Sequence, residues 1–166
     1  MGSGKTGVGK CLATLSTLTL YDSDEEIAKS TGVDIPWIFE KEGEAGFRKR
    51  EAEVIANLTK CHHIILATGG GVVIAPDNRK QLANSGVVVY LQVSVEVQLK
   101  RTTRKKMSRP ILMMYNSTEK LSQLNAIRHP WYCEIADLIY NTDNLTPLSL
   151  ASQILKDIEK LKQEKK

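Results

Sequence analysis

The chain has 166 residues, 42% hydrophobic and 25% charged, with a formal net charge of +4. That length suits one domain, residues 1–166, with a sizeable core and no second domain. The first residues lack a long apolar run and nowhere do eighteen apolar residues occur together, so neither a secretion signal nor a membrane span is expected. Three widely spaced cysteines with no CxxC and no suitable histidine spacing argue against a zinc site and read as buried or neutral thiols in a reducing compartment.

The chain opens on Gly2-Ser3-Gly4-Lys5-Thr6-Gly7 and runs into a helical pattern. Glycines let backbone N–H groups close around phosphate oxygens, a lysine reaches the outer phosphates, a threonine hydroxyl ligates Mg²⁺, and the helix presents its positive N-terminus. These residues form the end of a P-loop and point to a nucleoside triphosphate. The full pattern also asks for a glycine five positions before Gly4 and a buried strand delivering the loop, neither of which is in this sequence. The expectation is a short apolar stretch lost ahead of Met1.

Past Thr6, Val8, Cys11, Leu12 and Leu15 share one helical face, and Leu18 to Tyr21 follows as a short strand. Asp24 is expected to cap a helix led by Glu25 and Glu26 and ending near Gly32. Asp34-Ile35-Pro36 starts another helix, with Trp37 and Phe39 weighted as core. From Glu44 to Leu58 the positions Phe47, Glu51, Val54 and Leu58 recur at helical spacing. Ile64 to Ala67 is a buried strand broken by Gly69-Gly70-Gly71, Pro76 to Ser85 a helix, and Val87 to Leu91 a strand. Ser94 caps a helix running into the basic stretch Arg101 to Ser108, which Pro110 ends. Leu121, Leu124 and Arg128 mark a further helix and Leu138 to Tyr140 a last strand. A terminal helix over Pro147 to Leu161 turns Leu148, Ala151, Leu155 and Ile158 inward.

Strands alternating with helices predict an α/β fold, a parallel sheet covered on both faces with ligands at the carboxyl ends of its strands. The chemistry-bearing residues sit at such ends. Asp22 and Asp24 follow one strand, where carboxylates can face a phosphate-bound Mg²⁺ and orient or deprotonate a substrate hydroxyl. The three glycines follow another, and their entropy cost suits the close approach of a ligand. Arg48 and Arg128 can each fork onto a carboxylate or phosphate, with Glu51 three positions on holding Arg48, while Arg109 can close over the nucleotide. Basic residues at 101–109 and 160–166 read as a phosphate-gripping loop and a solvated helix end rather than a nucleic-acid surface.

Met1 to Ala13, Tyr21 to Ile27, Thr31 to Arg50 (TGVDIPWIFEKEGEAGFRKR), Leu66 to Val73 (LATGGGVV), Arg109 to Leu112 and Arg128 to Leu138 (RHPWYCEIADL) together resemble the shikimate kinase family across nearly the whole chain. The resemblance implies a P-loop, nucleoside monophosphate kinase-like three-layer fold. In it, a five-stranded parallel sheet carries a helical substrate-binding subdomain at about residues 22–60 and a mobile lid at about 102–116. It implies ATP-dependent phosphorylation of the 3-hydroxyl of shikimate on the route to chorismate and aromatic amino acids, by a cytoplasmic monomer with no nucleic-acid or membrane partner. By matching position, Gly2 to Gly7 and Gln153 would contact ATP, Thr6 and Asp22 Mg²⁺, and Asp24 the shikimate hydroxyls. Arg48 and Arg128 would bind its carboxylate, Gly70 and Gly71 would offer backbone contacts, and Arg109 would be the lid arginine. Arg101 and Arg104 compete for a second lid position in a segment one residue longer than usual. The alternatives are another small-molecule kinase, gluconate kinase-like, and a nucleotide-binding module without turnover.

Overall fold

A computed structural model describes residues 2–103 and 118–164. From residue 104 on, the expected lid, with Arg104 and Arg109, lies outside them, while Thr102 and Thr103 end a helix. Four short strands, β1 (Thr19–Asp22), β2 (Ile64–Ala67), β3 (Val89–Gln92) and β4 (Leu138–Asn141), form two parallel pairs. β1 pairs with β2 in the register Thr19 to Ile64, and β3 with β4 in the register Val89 to Leu138. The single expected sheet is thus two half-sheets, with no backbone ladder between β2 and β3.

Two helical layers enclose these strands. On one face α1 (Lys5–Leu15) packs against α7 (Pro147–Glu164), burying Val8, Leu150, Ala151 and Ile154 against Tyr140. On the other, α3 (Ile35–Leu58), α4 (Pro76–Ser85) and α6 (Thr118–Ile135) surround Ile55, Val72 and Val73. A third cluster, Ile27, Ile38 and Phe47, joins α2 (Ser23–Thr31) to α3, with Phe39 stacked on Phe47 at 4.7 Å. α5 (Val95–Thr103) follows β3, its first turn capped by Ser94, whose Oγ accepts from the Val97 N–H.

Several expectations need correction. The α2 cap is Asp22, whose carboxylate accepts the Asp24 N–H at 3.0 Å, rather than Asp24 itself; β1 ends one residue later than its apolar run, so Asp22 occupies the cap position. Gly32 closes α2 as expected. The helices expected at Ile35 and from Glu44 join into one, broken at Gly43, where the backbone leaves helical geometry. Leu15 is 45% exposed and Leu148 57% exposed, outside the narrower faces that meet the core. Trp37, weighted as core, is 43% exposed beyond the α2–α3 cluster. Cys61 and Cys133 are exposed thiols rather than buried ones.

Candidate active site

The carboxyl ends of the strands and the start of α1 converge on one corner. Gly4 caps α1 with φ of 89°, a left-handed conformation that residues with a Cβ rarely adopt, so glycine is needed where the loop turns into the helix. The first α1 turn leaves N–H groups without intrahelical acceptors, beside Lys5 and the exposed Thr6 hydroxyl. Arg101 anchors the loop from below: its Nη1 donates to the Gly2 carbonyl at 3.1 Å and its Nη2 to the Thr142 carbonyl at 2.7 Å. Its fork is therefore engaged with backbone rather than standing in a lid. Gly7 meets Pro147 at the start of α7. Gln153 lies exposed on that helix.

Lys5 Nζ lies 3.2 Å from Asp22 Oδ2, and the other Asp22 oxygen accepts from the Asp24 backbone. One carboxylate thus links the phosphate loop to the residue that faces the glycine run. At Gly69 a Cβ would sit 3.0 Å from Asp24 Oδ1, which places that carboxylate directly against the run. The Gly69 N–H donates to the fully buried Ser23 hydroxyl at 3.2 Å, fixing the loop to the start of α2.

Gly71 is bound by its neighbour rather than its torsions. A Cβ there would overlap the Arg48 guanidinium, so the residue must be small for the cation to lie where it does. Arg48 donates from Nη1 to Glu51 Oε2 at 2.7 Å and from Nη2 to Glu44 Oε1 at 3.0 Å. Burial works against its charge, but the Glu51 and Glu44 carboxylates outweigh that and hold its pKa above the ordinary value. Glu51 is 1% exposed, and burial pushes its carboxyl up, against the opposing pull of Arg48. The Gly70 carbonyl accepts from Arg128 Nη1 at 3.4 Å and from the Tyr132 hydroxyl. Burial raises the Tyr132 pKa, keeping the phenol a donor, and the ring stacks on Tyr90 at 4.7 Å.

Behind the glycines, the 3₁₀ turn Val72–Ile74 is clamped by α4. Asn78 donates to the Val72 carbonyl, Arg79 to the Val73 carbonyl at 2.7 Å, and Arg79 pairs with Glu134 of α6. Lys5, Asp22, Asp24, Arg48, Arg128 and the three glycines are therefore brought together. Sequence reasoning missed Ser23 and Tyr132. The first sat between two aspartates that drew attention, and the second lay four residues beyond Arg128 on the same helix face.

For a divalent cation the corner offers oxygen donors, the Thr6 hydroxyl and the Asp22 carboxylate, a set that fits Mg²⁺ rather than a soft metal. Among the described residues no group of three His, Cys, Asp or Glu side chains could hold a metal by itself, and no helix is long and apolar enough to cross a membrane.

The chain is similar in sequence and fold to proteins of one family. The shikimate kinase family matches residues 1–159. A shikimate kinase of Coxiella burnetii is 58% identical over 160 residues, covering 96% of this chain and 89% of that protein. That of Methylococcus capsulatus is 49% identical over the same shares. Among solved structures, the shikimate kinase of Acinetobacter baumannii in complex with shikimate superposes with a TM-score of 0.91 at 48% identity, covering 98% of this chain and 90% of that one. The enzyme of Aquifex aeolicus gives 0.81 at 31% identity, over 98% and 94%. With the matched residues spanning both the phosphate loop and the arginine-glycine corner, the chain belongs to the shikimate kinase family.

Proposed function

We propose that this chain transfers the γ-phosphoryl group of ATP to the 3-hydroxyl of shikimate, giving shikimate 3-phosphate and ADP. The observation that carries the reading is the arrangement around the glycine run: Asp24 against Gly69, and the Arg48 and Arg128 guanidinium groups at Gly71 and Gly70. Two cations beside one carboxylate match a substrate with an acid at one end and hydroxyls at the other. Arg48 and Arg128 bind the acid, Gly71 contributes its backbone, and Asp24 orients the hydroxyl and accepts its proton as the phosphoryl group arrives. The Gly70 carbonyl holds the two side chains of α6 in place.

On the nucleotide side, backbone N–H groups of residues 2–7 cradle the phosphates and Lys5 meets the outer ones. Thr6 and Asp22 would hold Mg²⁺, which when bound neutralises charge on the phosphate oxygens. Arg109 is assigned to closing over the transferred group, and Gln153 to the outer nucleotide wall. The proposed setting is a cytoplasmic monomer acting in the route to chorismate, without a nucleic-acid or membrane partner.

A coupled ADP-release assay with shikimate, gluconate and no acceptor tests the reading. ADP release that requires shikimate is the expected result. Equal turnover of gluconate would point to another small-molecule kinase, and nucleotide binding without turnover to a binding module; either outcome overturns the proposal.

A further inference from the structure

The break at Gly43 divides α3 into two helical halves. Residues 35–42 bury Ile38 against Ile27 and Phe47, whereas residues 44–58 carry Arg48 and Glu51. With φ of 68° and ψ of −173°, Gly43 occupies a region essentially closed to residues with a Cβ, so the bend is fixed by residue type. One forked ion pair spans it. Arg50 donates from Nε to Glu42 Oε2 at 2.9 Å and from Nη2 to Glu42 Oε1 at 2.6 Å. In an unbroken helix residues eight apart are separated by about 12 Å along the axis, so this contact exists only in the bent form. Gly46 makes room for it: a Cβ there would overlap Glu42 Cβ, whereas Cβ atoms four residues apart on a straight helix stay about 5–6 Å from each other. The Arg50 hydrogen bonds hold the Glu42 carboxyl below its ordinary pKa, so both partners are charged at neutral pH.

We infer that Glu42 and Arg50 are positioning residues: their bridge straps α3 at its bend and so aims the Arg48 guanidinium, an inference that rests on the assignment of Arg48 to the acid of shikimate. Ion pairs at the surface add little to overall stability, so the consequence of this one is local, the angle between the two halves. Two routes carry that angle to Arg48. Phe39 of the first half stacks on Phe47 at 4.7 Å, and Arg48 Cζ lies 5.2 Å above the centre of the Phe47 ring. Glu44, the first residue past the break, accepts from Arg48 Nε at 3.2 Å and from Nη2 at 3.0 Å. A change of bend therefore moves both the ring beneath the guanidinium and a carboxylate that directs it. Arg128 belongs to α6, so release of the strap alters the spacing of the two cations without removing either.

Glu42→Ala, Arg50→Ala and the double variant are compared with the unchanged chain by amide hydrogen exchange and by steady-state kinetics. Arg50 lies in the second half, so its loss is expected to speed exchange in the first, at Phe39 to Glu42, by about threefold to tenfold. Each single variant should raise the shikimate KM about threefold to tenfold, with kcat and the ATP KM changed by less than about twofold. The double variant should match a single one, because either change removes the same contact. Unchanged exchange at residues 39–42 in Arg50→Ala overturns the inference, as does an unchanged shikimate KM. Increases in KM that multiply in the double variant would mean that the two residues act separately, and matching losses in kcat and ATP KM would mean general loosening; both overturn it as well. Exchange needs no turnover, so a chain that failed to phosphorylate shikimate would still report on the strap, and the two failures are distinguishable.

Discussion

Gly71 shows how much of the site depends on a missing methyl group. Its φ of −93° suits any residue, so an alanine there is opposed only by the Arg48 guanidinium, which Glu51 and Glu44 already hold from other sides. Gly71→Ala should displace that cation at an overpacking cost of about 1–3 kcal/mol, raising the shikimate KM roughly 5- to 150-fold while the ATP KM stays near wild type. Steady-state kinetics with each substrate varied in turn checks this, and an unchanged shikimate KM would remove Arg48 from the acid-binding role. Tyr132→Phe is a milder test of the same corner. The Gly70 carbonyl would lose its phenolic donor and keep only Arg128, so KM should rise by about fivefold to tenfold with kcat nearly constant, the value of one hydrogen bond. A fall in kcat alone would assign Tyr132 to the chemical step instead. Asp24→Ala and Lys5→Met should separate the two halves of the reaction: the first cripples turnover while sparing ATP affinity, and the second weakens ATP binding itself. Equal loss of ATP binding in both, by calorimetry, would contradict that division.

At the level of elements, β4 is fastened to α7 by one polar contact as well as by packing. The buried Tyr140 hydroxyl donates to Asp157 Oδ2 at 2.7 Å, and that bond, followed by the one from Lys160, holds the Asp157 carboxyl below the ordinary range. A depressed carboxylate contributes stability above its unfolded pKa, about 3.9, and loses it as pH falls through the lower folded value. Tyr140→Phe should therefore lower the melting temperature at neutral pH by about 2–4 °C, and the gap from wild type should narrow below about pH 4. Thermal unfolding at both pH values decides it; a gap that widens in acid would show that the phenol acts by packing. The bounds of β2 and α4 were legible because a dense apolar run and Pro76 mark them. The Asp22 cap was not: Asp22 and Asp24 have equal propensity, and only the strand pairing that carries β1 through to Asp22 chooses between them. Leu15 and Leu148 were misjudged because helical periodicity gives the direction of an apolar face but not its width. Tyr132 was illegible for a different reason, its partner Gly70 being 62 residues away in sequence, a proximity only the packed fold creates.

Across the whole molecule, the arginine-glycine corner draws on α2, α3, the loop after β2 and α6, so a ligand held there ties four separate parts of the chain to one another. The residue types of this corner were readable from the sequence, yet its convergence depends on the 3₁₀ turn and the α4 clamp behind it, which no local pattern announced. A ligand bound only by the folded state stabilises it by RT ln(1 + [L]/Kd), about 2.7 kcal/mol at a hundredfold excess over Kd. For a chain of this size that corresponds to roughly 5–10 °C in melting temperature. Shikimate at that excess should produce such a shift without nucleotide, since the side chains assigned to it, Arg48, Arg128 and Asp24, gather around the glycines and none of them belongs to the phosphate loop. Gluconate at the same concentration should give little, and Arg48→Lys should lose most of the shikimate response, because an ammonium cannot reproduce the forked contact of a guanidinium. Differential scanning fluorimetry over a shikimate titration measures all three. A full shift retained by the lysine variant would mean that the acid is bound elsewhere, and the assignment of this corner would fall with it.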